Sequence, residues 1–205
     1  MKPDKYKNIV FDLGNVLICY DSTSSTRVYT DDEQIIKEID NILYKSTEWV
    51  FLDAGWITEE EAMKMWLPRF SSDKVREIAQ LSFRDWTKYN LKTNEGSPEL
   101  IRELKSSGKK LYVLSNISAR FRNYYKEYVP EWQLFDGIFF SAEHYCIKPS
   151  EEIFMKFYKE FGLTPSECLF IDDNPQNVEE ARKTGMDSYL LSDRSIQTLK
   201  TFLSE

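Results

Sequence analysis

Nine residues near the start of the chain, Ile9-Val10-Phe11-Asp12-Leu13-Gly14-Asn15-Val16-Leu17, restrict the fold more than any other stretch. Three large apolar residues run straight into a carboxylate, and the turn formers Gly14 and Asn15 follow. A short β-branched and aromatic run closed in this way reads as a buried strand with a loop behind it. A strand without a polar face belongs inside a parallel sheet covered by helices. Ligands of such sheets bind just beyond the carboxyl ends of the strands, and Asp12 falls at that edge. A carboxylate there is a nucleophile, a metal ligand or a turn cap, and the remainder of the chain has to decide which.

From Ser97 onward the chain alternates between strand and helix patterns. Ser97-Pro98 opens a helix that Gly108 closes. Lys110 to Ser115 is a strand with polar residues at its end, and a helix is expected from about Ser118 to Tyr128. Gly137 to Ser141 reads as a short strand, and Ser150 opens a helix that runs to Phe161. Cys168 to Ile171 is a further strand leading into Asp172-Asp173-Asn174. Asn174 and Pro175 then start a helix to Thr184, followed by a strand from Ser188 to Leu191 and a helix from Ser195 to Leu203. Such alternation predicts an α/β fold with a parallel sheet and helices on both faces. Residues 18–88 carry no strand signal. Ile35, Ile36, Ile39, Ile42 and Leu43 recur at helical spacing behind Asp31 and Asp32. Thr58 with Glu61 forms a capping box, and Asp73 to Phe83 fits another helix. The expected organisation is therefore a core of residues 1–17 and 89–205, with a helical domain of residues 18–88 inserted after the first strand.

Composition narrows the function classes. A chain of 205 residues with 41% apolar residues supports one or two domains with a real core. Its 27 basic against 34 acidic residues give a net charge of −7, which argues against nucleic acid as a partner. A local positive site for an anionic substrate is still compatible with it. Cys19, Cys146 and Cys168 lack any zinc spacing and read as small core residues of a reducing compartment. The first apolar run is interrupted by Asp12, Gly14 and Asn15, so it is no signal peptide. No stretch approaches the ~18 apolar residues of a membrane span. The expectation is a cytoplasmic protein, monomeric or a homodimer, acting on a small phosphorylated metabolite.

That substrate class follows from the groups at the strand ends: Asp12, Ser115 with Asn116, and Asp172 with Asp173. Lys148 sits in the loop after the Phe139 strand, followed by Pro149. All carboxyl ends of a parallel sheet share one edge, so these groups can converge. Several carboxylates suit Mg²⁺, which keeps waters and binds substrate phosphate. The metal and Lys148 would neutralise charge on a transferring phosphoryl group, and Ser115 would donate to a phosphate oxygen. Asp12 is then left as the nucleophile of an aspartyl-phosphate route. Asn177 reads as a helix-surface amide or as a partner of the metal carboxylates. His144 reads as a loop or packing residue rather than a general base. The aromatic block Trp49, Phe51, Trp56, Trp66, Phe70 and Trp86 reads as helix core rather than ligand cage.

With these motifs in this order, the chain resembles the haloacid dehalogenase superfamily over almost its whole length. Phe11-Asp12-Leu13-Gly14-Asn15-Val16-Leu17 looks like its motif I, Val113-Leu114-Ser115-Asn116 motif II, Lys148-Pro149 motif III, and Phe170-Ile171-Asp172-Asp173-Asn174 with Asn177 motif IV. The resemblance implies a Rossmann-like core with a small helical cap of the C1 type. It implies Asp12 and Lys148 as catalytic residues, and Ser115, Asn116 and Lys148 at the substrate phosphate. It also implies Mg²⁺ held by Asp12, the Gly14 carbonyl, Asp172 and Asp173. One departure matters. Most phosphatases of the superfamily carry a second Asp, the general acid/base, where this chain has Gly14. General acid catalysis contributes about 10²–10⁴-fold. The Asp-Leu-Gly-Asn-Val form is similar to the branch that contains α-glucose-1-phosphate phosphatase, whose anomeric leaving group needs an acid less. The expected activity is thus Mg²⁺-dependent hydrolysis of a small phosphomonoester, a sugar phosphate among the candidates. 2-Haloacid dehalogenase is the alternative, followed by a catalytically weak binding protein.

Overall fold

The structure, a computed structural model, describes residues 5–204. In chain order its elements are β1 (Asn8–Phe11), β2 (Ile18–Tyr20), α1 (Ser24–Arg27), α2 (Glu33–Ile39), α3 (Thr47–Asp53), α4 (Glu59–Trp66), α5 (Asp73–Tyr89), β3 (Leu91–Thr93), α6 (Ser97–Ser106), β4 (Lys110–Ser115), α7 (Tyr125–Tyr128), β5 (Gly137–Phe140), α8 (Glu151–Phe161), β6 (Cys168–Asp172), α9 (Pro175–Lys183), β7 (Asp187–Leu190) and α10 (Ile196–Ser204). Five strands form a parallel sheet in the order β5-β4-β1-β6-β7, so β1 is central. Each residue of β1 is buried, as a strand covered on both faces requires. Phe11 pairs with Val113 of β4 and with Ile171 of β6. That register brings Asp12, Ser115 and Asp172 to one edge of the sheet. The α/β architecture with a helical insertion after β1 is the one the alternation predicts.

Local sequence explains the insertion. Ser46, Thr58 and Ser72 each accept a backbone N–H as the N-caps of α3, α4 and α5, and Asp32 caps α2. Each cap stabilises its helix by about 0.5–2 kcal/mol. The Thr58–Glu61 capping box forms in full. Trp66, Phe83 and Trp86 are buried, and Trp49 meets Trp86 edge-on at 5.4 Å between ring centres. α5 continues to Tyr89, beyond the expected end at Phe83, because Trp86 and Thr87 keep its buried stripe going. After α2 the chain widens into a π-helical turn at Asp40–Tyr44.

Two expectations about elements fail. The helix expected over Ser118–Tyr128 is a 3₁₀ turn, Ala119–Asn123, followed by the single turn α7. Asn123 and four aromatic residues are poor helix formers, and Phe121 and Tyr125 pack edge-on against Phe140. The stretch read as free of strand signal contains β2, which pairs antiparallel with β3. Strands of three residues are too short to display a period-2 pattern. Cys19 lies on this ribbon and is exposed, whereas Cys146 and Cys168 are buried. The expectation of three core cysteines is corrected accordingly. Among the described residues no helix is long and apolar enough to cross a membrane.

The insertion seats firmly on the sheet side. Arg120, after β4, is paired with Glu59 of α4 and donates to the Phe83 carbonyl at 2.7 Å. The Ser141 hydroxyl, after β5, donates to the Asp53 carbonyl. Gly55 completes the seat. It has φ +72°, and a Cβ there would stand 2.2 Å from the Ala142 carbonyl oxygen. Gly108 shares a left-handed φ, but a Cβ there meets nothing within 4 Å. Gly108→Ala is therefore expected to cost about 1–2 kcal/mol, the left-handed penalty alone. Gly55→Ala should cost about 2–5 kcal/mol, because overpacking adds to that penalty. Urea unfolding of the two variants checks this, and equal costs would contradict the seat.

Candidate active site

Lys148 organises the site. Its side chain is 1% exposed, and its Nζ lies 2.9 Å from Asp12 Oδ1 and 2.7 Å from Asp172 Oδ2. Asn116, just past β4, holds the lysine backbone from both sides. Its Nδ2 donates to the Lys148 carbonyl at 2.9 Å, and its Oδ1 accepts the Lys148 N–H at 2.8 Å. The Lys148–Pro149 peptide bond is cis. Asp12 is fixed by its own N–H, which donates to the Ile171 carbonyl at 2.9 Å. Asp172 is surrounded by donors. The Asn174 N–H reaches Oδ1 at 2.8 Å, and Asn177 Nδ2 reaches Oδ1 at 3.1 Å and Oδ2 at 3.0 Å. Asn177 is thus a partner of the carboxylate cluster and not a surface amide.

Burial raises the Asp12 carboxyl to about 6, Lys148 pulling against it and the charge of Asp172 adding to it. Burial alone would push Lys148 down, but Asp12 and Asp172 outweigh it and hold the ammonium form. Asp173 is half-buried and raised by burial and by Asp172, while Arg194, 3.2 Å away, acts the other way.

Asp12, Asp172 and Asp173 each offer a carboxylate oxygen, and these atoms lie within 4.8 Å of one another. Hard oxygen donors of this kind fit Mg²⁺. Lys148 and the exposed Arg194 against three clustered carboxylates still leave an excess of negative charge, which a divalent cation offsets. The Asp172 oxygens already receive Lys148, Asn174 and Asn177, so Asp12 and Asp173 have the freer lone pairs.

Beside this cluster opens a cavity of about 180 Å³. Gly14, Ser115 and Asn116 line it at the sheet edge, and Ile18, Tyr20, Trp49, Trp86 and Leu91 supply most of its wall. Two members of the aromatic block thus face a cavity, which corrects their reading as core alone. Trp66 and Phe70 are buried as expected, and Trp56 is exposed. His144 stacks on Phe139 with ring centres 3.6 Å apart and lies 3.5 Å from Glu160. It is not among the cavity residues.

Asp53 and Arg194 were not legible in the sequence as site residues. Asp53 sits at the end of α3 and lines the cavity. Burial raises its carboxyl to about 7, and the charge of Asp12 adds to this, while the Ser118 N–H and the Trp49 indole act the other way. Nothing in Leu52-Asp53-Ala54-Gly55-Trp56 distinguishes it from a helix-end acid, because the cavity is made by residues distant in sequence.

A buried carboxylate–lysine cluster at the edge of a parallel sheet, roofed by a helical insertion, defines a hydrolase class. The family model of haloacid dehalogenase-like hydrolases matches residues 6–185. The chain belongs to that family. It is 31% identical over 188 residues to sesquiterpene phosphatase astK of Aspergillus oryzae, covering 92% of this chain and 91% of that protein. A predicted HAD-like hydrolase from Porphyromonas gingivalis superposes with TM-score 0.73 at 25% identity, over 98% of this chain and 99% of that one. A HAD family enzyme from Bacteroides thetaiotaomicron, solved with magnesium and inorganic phosphate, gives TM-score 0.63 at 25% identity, over 90% and 93% of the two chains.

Removing Lys148 would leave Asp12 and Asp172 buried without their common partner. Lys148→Ala is expected to cost about 3–5 kcal/mol in EDTA, less with Mg²⁺ present, as read by urea unfolding. A loss below 1 kcal/mol would contradict the pairing. For Asp53, a folded-state pKa of about 7 against an ordinary 3.8 means that the folded state binds more protons between those values. Stability from this group therefore falls as pH rises through that window. In EDTA, Asp53→Asn should gain on the wild type from pH 4 to pH 7, with a constant gap above pH 8. Parallel pH profiles of melting temperature would rule this out.

Proposed function

We propose that this protein is an Mg²⁺-dependent phosphatase of small phosphomonoesters that works through an aspartyl-phosphate on Asp12. The observation that carries this reading is the Lys148 ammonium held between Asp12 and Asp172, beside a carboxylate cluster fit for Mg²⁺. Asp12 attacks phosphorus, the bond to the ester oxygen breaks, and water then releases inorganic phosphate from Asp12. Lys148 keeps Asp12 ionised in a buried setting and neutralises a phosphate oxygen, while Ser115 donates to another. Asp12, Asp173 and the Gly14 carbonyl, with Asp172 behind them, would hold Mg²⁺, which would supply Lewis acidity toward the phosphate. Asn116 contributes chiefly by placing Lys148, since its amide is engaged there. Residues 18–88 act as a cap over the core of residues 1–17 and 89–205, closing on substrate.

The cavity wall supports one substrate class over another. The tryptophan, isoleucine and leucine side chains in that wall favour an ester with an apolar alcohol. The similarity to a sesquiterpene phosphatase supports the same class. The acid cluster favours phosphate chemistry over the dehalogenase alternative.

Phosphate release from farnesyl phosphate, glucose 1-phosphate and p-nitrophenyl phosphate tests the reading. Turnover is expected with Mg²⁺ and not with EDTA, with the highest kcat/KM for the apolar ester. Asp12→Asn should lower kcat by a factor on the order of 10⁴–10⁶. Silence with every ester would refute the phosphatase reading, and preference for the sugar ester would refute the apolar substrate class.

A further inference from the structure

The motif I loop lacks a proton donor. Gly14 has none, and the direction in which its Cβ would point is open, with nothing within 4 Å. An alkoxide is a poor leaving group, so an apolar alkyl ester needs protonation at the departing oxygen. Asp53 is the one carboxyl among the described residues that line the cavity. Its place there is enforced twice. Its own carbonyl accepts the Ser141 hydroxyl from the sheet side, and Gly55 lies tight against Ala142.

Direction selects it further. Attacking and leaving oxygens lie roughly in line at a transferring phosphorus. Asp12 attacks from the sheet edge, so the leaving oxygen faces the insertion, the side from which Asp53 comes. Tyr20 also lines the cavity, and its hydroxyl has no hydrogen-bond partner. Burial pushes that phenol well above its ordinary value, so it surrenders a proton far less readily than a carboxyl does.

We propose that Asp53, supplied by the insertion, donates the proton to the leaving-group oxygen in place of the acid absent at Gly14; this rests on the phosphatase reading above. In the first step Asp12 Oδ bonds to phosphorus, the ester P–O bond breaks, and the Asp53 proton passes to the departing oxygen to give a neutral alcohol. In the second step the Asp53 carboxylate takes a proton from water as that water bonds to phosphorus. The bond to Asp12 breaks, and both side chains return to their starting states. A carboxyl held at about 7 by burial retains a proton near neutrality and can also take one back.

The test is kcat/KM, which reports the first irreversible step, for Asp53→Asn on two esters with Mg²⁺ present. One is an alkyl phosphate with a poor leaving group, the other p-nitrophenyl phosphate with a good one. The expected result is a loss of about 10²–10⁴-fold on the alkyl ester and little change on the aryl ester. A circular-dichroism melt shows whether the variant folds, and Asn reproduces the shape of a protonated Asp. Equal losses on both esters would overturn the proposal, as would no loss on either. If the wild type releases no phosphate from either ester, the phosphatase reading falls and takes this proposal with it. That outcome is distinct from an active wild type with an unselective variant.

Discussion

A single ammonium group buried between two carboxylates sets the conditions for the remainder of the site. Lys148 could not be desolvated alone, and neither could Asp12 or Asp172. Their pairing requires that the ends of β1 and β6 and the loop after β5 arrive together, which the central position of β1 secures. Asn116 then ties the lysine backbone to the end of β4. Three strand ends and one loop are thereby locked to one another by hydrogen bonds. The residual negative charge makes the edge a place for a cation and a phosphate, and sheet chemistry becomes metal chemistry.

The polar edge and the apolar roof divide the labour. The sheet provides charges fixed by short loops, while the insertion provides bulk and shape through Trp49 and Trp86. Arg120 joins the two halves by pairing with Glu59 and lying over the Phe83 ring at 4.4 Å.

Much of this was legible in the chain. The sheet, its parallel order and the strand-end groups Asp12, Ser115 and Asp172 follow from short apolar runs that end in polar residues. The capping box at Thr58 and the start of α9 at Asn174-Pro175 are local signals and appear as read. What escaped depends on contacts distant in sequence. Asp53 is unremarkable until the insertion folds over Gly14, and Trp49 looks like core until a cavity opens beside it. The helix expected after Ser118 yields to aromatic packing on Phe140, because tertiary contacts outweigh a weak local preference. β2 and β3 are too short for periodicity, and only their pairing makes them strands.

That pairing has an effect beyond holding two short segments. Ile18 faces Thr93 and Tyr20 faces Leu91, so the chain leaves the sheet and returns to it through a single doorway, one strand spacing or about 5 Å wide. To the sheet, everything between these residues is a closed loop whose ends the β2–β3 pairing holds together. Its length and content can change during evolution without shifting Asp12 or the strand behind it. On the proposed reading, substrate preference and, with Asp53, part of the proton chemistry would then reside in an exchangeable module, while Asp12 and Lys148 stay with the frame.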